Sequence, residues 1–199
     1  MDIKTLEKMK EELYGLICNT YYTENVKLEN IIDILNDLIT DEKVKSPKPE
    51  YYGIKNYKFN DDGTLDVYQD IDLWDLNVTE LPFKFGKVDG NFTCHNVNLI
   101  SLKGFPKIVN GDLDIHTNKL KSLEYISEVI NGDLDCNWNQ IEDFKYFPKI
   151  IKGDVYCRSN NLKSLKGLNF KNISGKIYVD NNPDLIIKTN EIRYNKIEW

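Results

Sequence analysis

The stretch 132–152, GDLDCNWNQIEDFKYFPKIIK, decides the fold because the 199-residue chain contains several copies of it. Four units of this kind begin at glycines that are spaced by 21 residues: Gly90, Gly111, Gly132 and Gly153. A unit that has lost its glycine begins at Gln69, and a partial unit begins at Gly175. A fixed period of this length is typical of repeat proteins, in which each unit stacks on the next.

Apolar residues form columns when the glycine of each unit is numbered as position one. Positions three and five alternate with polar residues, which predicts a short strand with one buried face. Position three holds Ile71, Phe92, Leu113, Leu134, Val155 and Ile177, and position five holds Leu73, Cys94, Ile115, Cys136, Cys157 and Val179. Positions ten and thirteen are also apolar, and position eight is Asn118, Asn139 and Asn160 in the central units. Stacking is predicted to merge the columns into one core, with the asparagines bonding the backbone of the neighbouring coil.

The pattern of the columns resembles the leucine-rich repeat, and residues 134–141, LDCNWNQI, match it position for position. The 21-residue length and the pairs Phe105-Pro106 and Phe147-Pro148 are similar to the short bacterial subtype, whose convex segments are extended. The Gly-Asp starts are similar to repeats in predicted proteins of large tailed bacteriophages. The resemblance covers residues 69 to about 185 and implies a solenoid with short parallel strands, but it says little about function, because such solenoids perform many binding tasks.

The chain is predicted to have an α+β fold in four segments. Residues 1–50 have apolar residues at helical spacing, which predicts a helical hairpin whose second helix could be capped by Thr23 or Asn25. An extended linker containing Pro47 and Pro49 is predicted to end this segment. Residues 51–68 predict a β-hairpin that caps the repeats, which occupy 69–185 as about five and a half units. Residues 186–199 are interpreted as a C-terminal cap strand or, alternatively, a frayed tail.

Composition excludes several classes of function. The chain has 26 Lys and Arg against 32 Asp and Glu, and the resulting net charge of −6 argues against general binding of nucleic acid. It has no apolar run long enough to span a membrane, and its start lacks the features of a secretory signal, so we expect a cytoplasmic protein without membrane contact. No CxxC pair, nucleophile elbow or phosphate-binding loop is present, which favours a protein that is not an enzyme.

Acidic and aromatic residues share the face that stacking would make concave. They occupy positions two, four, six and seven of the units, between the buried columns, whereas many lysines fall in the other half of each unit. The predicted binding residues are Asp72, Trp74, His95, Asp112, Asp114, His116, Asp133, Asp135, Trp138, Tyr156, Arg158 and Tyr178. Exposed tryptophan is enriched at binding hot spots, so Trp74 and Trp138 are the most informative members of this set.

The carboxylates of this face have two interpretations. The position-two aspartates either cap the Gly-Asp turn or belong to an acidic patch that meets a basic surface. A metal site can be drawn from His95, His116, Asp114 and Asp135, but a third soft ligand is missing, and we expect neither a metal nor a cofactor.

The sequence therefore predicts a non-enzymatic protein–protein interaction module that binds a host or partner protein with a basic surface. The phage-like resemblance implies an inhibitor of a bacterial defence enzyme, acting in the host bacterial cytoplasm. One alternative places an effector activity in the helical hairpin, with the repeats as a targeting platform, and another is a metal-dependent hydrolase. The oligomeric state and the role of the hairpin as cap or effector stay open at this point.

Overall fold

A computed structural model describes residues 3–17, 31, 34–36, 38–39, 48–74, 79–187 and 196–198. The chain divides into two units, Met1–Tyr51 and Tyr52–Trp199. No helix among the described residues has both the length and the apolar composition needed to cross a bilayer.

The first unit is helical at every described residue except Lys48. Helix α1 spans Ile3–Ile17, and residues 31, 34–36 and 38–39 are also helical. Leu6, Leu35 and Ile39 form a buried cluster with Tyr51 packed against it, so the two helical segments share a core. The turn of the predicted hairpin, with Thr23 and Asn25, lies outside the described residues.

The linker prediction is wrong at its end. Pro49–Tyr52 forms a short 3-10 helix instead of an extended segment. Proline is well suited to the first position of a helix, because its fixed φ is helical and its missing N–H would have no partner there.

The second unit begins with a β-hairpin at the predicted place. Strands β1 (Tyr57–Phe59) and β2 (Leu65–Val67) pair antiparallel, with Tyr57 opposite Val67. Gly63 takes a φ of +77° in the turn between them, a conformation that costs glycine little. Strand β2 then pairs in parallel with the first repeat strand of the same sheet, so the hairpin extends that sheet.

The remaining strands make two sheets, and each coil of the repeat contributes to both. The first sheet continues from the hairpin through β4 (Phe85–Val88), β6 (Ile108–Val109), β8 (Val129–Ile130) and β10 (Ile150–Ile151). The second sheet contains β3 (Ile71–Asp72), β5 (Phe92–Thr93), β7 (Leu113–Asp114), β9 (Leu134–Asp135), β11 (Val155–Tyr156), β12 (Ile177–Tyr178) and β13 (Ile197–Glu198). All its strands are parallel, and partners such as Leu113 and Leu134 are 21 residues apart. The second unit is therefore a β-solenoid of stacked coils.

The predicted apolar columns form the core of this solenoid. In the four units that begin with glycine, the side chains at positions three, five, ten and thirteen are at most 1% exposed. Burial of the thiol raises the pKa of Cys94 and of Cys136, so both behave as small apolar side chains. Strand β13 falls within the segment predicted to close the solenoid and pairs with β12, while Ile192, Tyr194 and Trp199 lie outside the described residues.

The Gly-Asp start of each unit has a packing cause. A Cβ at Gly132 would lie 2.1 Å from Asp112 Oδ1 and 2.7 Å from the backbone of Gly111. That carboxylate oxygen accepts a hydrogen bond of 2.8 Å from the backbone N–H of Asp133. Equivalent bonds run up the stack from Asp70 to Lys176. Glycine is required because the neighbouring coil approaches so closely, and aspartate or asparagine caps the next coil.

Position eight forms the predicted asparagine ladder. Asn118 Oδ1 accepts from the backbone N–H of Leu99 at 3.0 Å, and its Nδ2 donates to the carbonyls of Cys94 and Ile115. Asn139, Asn160 and Asn182 make the same kind of bonds. Burying these amides is tolerated because their donors and acceptors are satisfied by backbone groups.

Candidate protein-binding face

Strand alternation and parallel register together build one surface, which we call the second-sheet face. Its members are the solvent-facing side chains at positions two, four, six and seven of the second sheet. Asp114 lies between the fully buried Leu113 and Ile115, so it must point away from the core. The register places Asp114 opposite Asp135 on the next strand. The position-four column inferred from the sequence is therefore a physical row of side chains.

An acidic hollow of about 250 Å³ lies at the centre of this face. It is lined by Asn91, Thr93, Asp112, Leu113, Asp114, Asp133, Asp135 and Tyr156. Asp112 and Asp133 each commit one oxygen to the backbone N–H of the following coil. They consequently have a structural role in addition to the negative charge that they bring to the hollow.

Asp114 and Asp135 are the position-four carboxylates of the acidic hollow. Asp114 Oδ1 lies 2.6 Å from His116 Nδ1 and also accepts from the His116 backbone N–H. Asp135 Oδ1 accepts from the backbone N–H of Asn137 at 2.9 Å. Burial raises the pKa of Asp135, and the charge of Asp114 adds to that increase. The two carboxylates therefore repel each other across adjacent strands, as like charges at strand spacing must.

Three aromatic rings lie beside the hollow. The rings of His95 and His116 stack with centroids 4.5 Å apart and planes 9° from parallel. The Trp138 ring meets His116 edge-on at 5.9 Å, and Trp138 is 57% exposed. A large exposed ring next to carboxylates provides both apolar contact area and charge to a partner.

The backbone at position seven is left-handed in every coil from Asn96 onward. The φ values are 55° for Asn96, 54° for Thr117, 50° for Trp138, 53° for Ser159 and 58° for Asn181. Asparagine tolerates this conformation, whereas bulky and β-branched residues are strained in it. Trp138 therefore carries a conformational cost that the turn of the coil imposes on any bulky residue at this position. No residue type in the sequence signalled this turn, because the position varies from coil to coil.

Tyrosines dominate the face toward the C-terminal end, where Tyr156 and Tyr178 form what we call the tyrosine stack. Their rings are parallel within 4° at 4.9 Å. The Arg158 guanidinium lies over the Tyr178 ring at 4.5 Å and pairs with the carboxylate of Asp180. Asp180 was not among the predicted binding residues, although its spacing from Arg158 places it in the same column. Charge in this part of the face is therefore compensated.

Asp72 and Trp74 lie at the other end of the second sheet. Asp72 Oδ1 accepts a hydrogen bond from the backbone N–H of Trp74. The Trp74 residue is 58% exposed. Asp72 is opposite Thr93, which is opposite Asp114, so it is two strand spacings, roughly 10 Å, from Asp114 and just outside the acidic hollow. The structure thus gathers ten of the twelve predicted residues around the hollow and the tyrosine stack and leaves these two at the edge strand.

The lysines of the return segments are partly neutralised by neighbours one coil away. Lys149 Nζ lies 2.6 Å from Glu128 Oε2, and Lys163 Nζ lies 2.8 Å from Glu142 Oε2, each pair being 21 residues apart. The sequence indicated a basic edge but not these ladders. The separation of charge between the faces is accordingly smaller on the lysine side than the composition suggested.

Comparison with known proteins supplies no relative. No protein-family model, curated protein or solved structure matches the chain. The architecture is therefore established by the repeat and the sheet register alone.

Proposed function

We propose that this chain is a non-enzymatic module of the leucine-rich-repeat type that binds a basic protein surface through its second-sheet face. The observation that carries the proposal is the acidic hollow beside the exposed Trp138. Four aspartates contribute to that hollow, while Arg158 of the neighbouring coil is already paired with Asp180. Lysine or arginine side chains of a partner would offset the repulsion between the carboxylates, and the tryptophan would provide a desolvated anchor.

The similarity of the Gly-Asp units to repeats of large tailed bacteriophages supports a narrower role. In this role the protein inhibits a bacterial defence enzyme in the host cytoplasm by covering a basic site. A row of carboxylates at strand spacing presents negative charge at regular intervals, as a nucleic-acid backbone does. An enzyme that grips nucleic acid through lysines and arginines is a suitable target for such a surface.

Charge reversal at the hollow tests this function. Wild-type protein and the Asp114→Lys/Asp135→Lys variant are immobilised side by side, bacterial lysate is passed over both, and the retained proteins are quantified by mass spectrometry. A partner identified in this way is then purified and titrated. We expect its affinity to fall at least about 100-fold in the variant, because truncating or reversing charges that meet a partner costs several kcal/mol.

The matched control is Glu80→Lys/Glu124→Lys, which makes the same change in net charge at exposed glutamates outside the second-sheet face. The control should keep the affinity of the wild-type protein. An equal loss of affinity in both double variants would show that binding depends on net charge and not on this face. Unchanged affinity after reversal of Asp114 and Asp135 would also refute the assignment of the face.

The first unit is the rival location for binding, and one observation favours it. Ile31, Ile34 and Leu38 are 43%, 58% and 46% exposed, and their spacing places them on one helical stripe. An exposed apolar stripe is typical of a surface that meets a partner. If Ile34→Asp/Leu38→Asp abolishes partner binding while Asp114→Lys/Asp135→Lys does not, the effector function belongs to the first unit and the repeats are its platform.

A further inference from the structure

Asp114, His116 and Asp135 form a mixed set of metal-binding donors on the second-sheet face. One ligand atom from each residue lies within 4.8 Å of those of the other two. We propose that these three side chains bind one divalent ion of the zinc class. The proposal goes beyond protein binding, replaces the expectation from the sequence that no metal is bound, and does not depend on any partner.

The distances suit one ion. Bonds from zinc to nitrogen and oxygen are about 2.0–2.2 Å, so two ligand atoms of one ion lie roughly 3.3–4.3 Å apart. Atoms within 4.8 Å of one another reach this range by small side-chain rotations. His116 Nδ1 and Asp114 Oδ1 are 2.6 Å apart, which is a hydrogen-bond distance, so an ion must displace the proton between them and separate the two atoms by at least about 0.7 Å. The two side chains are nevertheless neighbours before an ion arrives, which reduces the entropic cost of binding.

The imidazole distinguishes this set from an ordinary acidic surface. Carboxylates alone favour calcium and magnesium, whereas an imidazole donor favours zinc and other transition metals. The repeat also provides internal comparisons, because positions four and six of one coil and position four of the next recur up the stack. The corresponding sets are Asp72, Trp74 and Thr93; Thr93, His95 and Asp114; Asp135, Asn137 and Tyr156; and Tyr156, Arg158 and Tyr178. Among these described coils, only the junction of β7 and β9 presents two carboxylates and an imidazole.

Charge and exposure are consistent with an ion that keeps open coordination positions. Asp114 and Asp135 face each other in register, so an ion of charge +2 between them would offset their repulsion. The side chains of His116 and Asp114 are 26% and 30% exposed, so solvent reaches the site. Three protein ligands and a fourth position open to water is a common arrangement for zinc. Asp112 and Asp133 are engaged with the backbone of the next coil and are not assigned as ligands.

Zinc binding to the full-length chain tests the proposal. Protein is stripped with a chelator and desalted, and Zn²⁺ is titrated by calorimetry with the zinc content measured by mass spectrometry after dialysis. We expect one ion per chain and a loss of affinity of at least about 10-fold in His116→Gln and in Asp135→Asn. The matched control is Asp72→Asn, a position-four aspartate two strands away from Asp114 on the same sheet. This control should stay within about 2-fold of the wild-type affinity, because distant sites act independently.

Absence of saturable binding overturns the proposal, and so does equal weakening in the control and ligand variants. Histidine-ring NMR provides a second readout that does not depend on comparing affinities, because the chain contains only two histidines. Zinc should fix the tautomer of one ring, and a single assignment variant identifies that ring. Fixation of the His116 ring supports the proposal, whereas fixation of the His95 ring or of neither ring refutes it.

Discussion

The acidic hollow and the tyrosine stack occupy the same positions of adjacent coils and meet at Tyr156, yet the hollow is acidic whereas charge in the stack is compensated. Asp114 and Asp135 face each other in register at position four, and Tyr156 and Tyr178 do the same two strands further along. The hollow concentrates like charges, whereas the stack pairs parallel rings with an arginine that is itself paired. The difference shows that the solenoid determines where a side chain is placed but does not restrict which residue type occupies that place.

The reason is that separate positions of the unit perform the two tasks. Positions one, three and five pack the coils together and hold only glycine or apolar residues in the units that begin with glycine, while asparagines at position eight bond the backbone from Asn118 onward. Positions four, six and seven point outward, and they hold residues as different as aspartate, histidine, tryptophan and arginine. A binding surface can therefore be changed without changing the coils beneath it.

A side chain inserted between the coils of the two regions should have the largest effect on the free energy of unfolding. Gly153 begins the coil of Tyr156 and stacks on the coil of Asp135, and a Cβ there would lie 1.9 Å from Asp133 Oδ1 and 2.7 Å from the Asp133 backbone nitrogen. We expect Gly153→Ala to lower the free energy of unfolding by about 3–4 kcal/mol, because backbone atoms of the neighbouring coil must move. Urea denaturation followed by tryptophan fluorescence measures the loss.

The neighbouring exposed residue provides the control for that experiment. Lys152→Ala should change the free energy of unfolding by less than about 0.5 kcal/mol. A loss for Gly153→Ala no larger than that of Lys152→Ala would contradict the close contact between the coils.

Replacing Asn139 or Asn160 with alanine tests whether the position-eight hydrogen bonds stabilise the two regions equally. Asn139 Oδ1 accepts from Leu120 N–H and Asn160 Oδ1 accepts from Ile141 N–H, both at 3.0 Å. Each alanine variant should lose about 2–3 kcal/mol of unfolding free energy, because buried backbone groups lose their partners. We expect the two losses, measured by urea denaturation, to agree within about 1 kcal/mol, since the coils are equivalent. A large effect at one site alone would show that the hollow and the stack are supported differently.

Neutralising one carboxylate in each region should give small effects of opposite sign. Asp135→Asn removes a repelled carboxylate and should stabilise the fold by about 0.5 kcal/mol at pH 7, whereas Asp180→Asn removes the partner of Arg158 and should destabilise it by a similar amount. Unfolding is measured with a chelator present, so that bound metal does not contribute. Effects of the same sign would show that the regions do not differ electrostatically.

The pH dependence gives this comparison a further check. Because burial raises the pKa of Asp135 in the folded protein, its ionisation costs stability. The cost is absent below the ordinary aspartate pKa of 3.8 and grows as pH rises from there through the raised folded pKa. The advantage of Asp135→Asn should therefore disappear in acid and be complete at neutral pH. An advantage that persists in acid would contradict the electrostatic cause.

Periodicity was sufficient to predict the second sheet, but not the first. The apolar columns at positions three and five alternate with polar residues, so residues such as Leu113 and Ile115 were assigned to the core correctly. The first-sheet strands are pairs such as Ile108–Val109 and Val129–Ile130, in which two apolar residues are adjacent and do not alternate with polar ones. They become strands because the stacked coils bring their backbones into register, which is a tertiary effect.

The sequence period places the candidate residues on one face, but it does not predict their side-chain contacts. Register alone gives the neighbourhood of Asp114 and Asp135 once the 21-residue period is known. The orientation of the His116 ring toward Asp114, the pairing of Arg158 with Asp180 and the left-handed turn at Trp138 depend on backbone dihedrals and rotamers. A linear pattern carries no information about those angles.

The sequence by itself determined the period, the buried columns and the set of side chains displayed on one face, because a 21-residue spacing and strand alternation are properties of the order of residues. Only the tertiary structure decided that glycine and aspartate interlock between coils, that the first sheet forms beside the predicted one, and that Arg158 pairs with Asp180. These features arise where residues 21 positions apart meet, and the distance between such residues is set by the stacking of the coils.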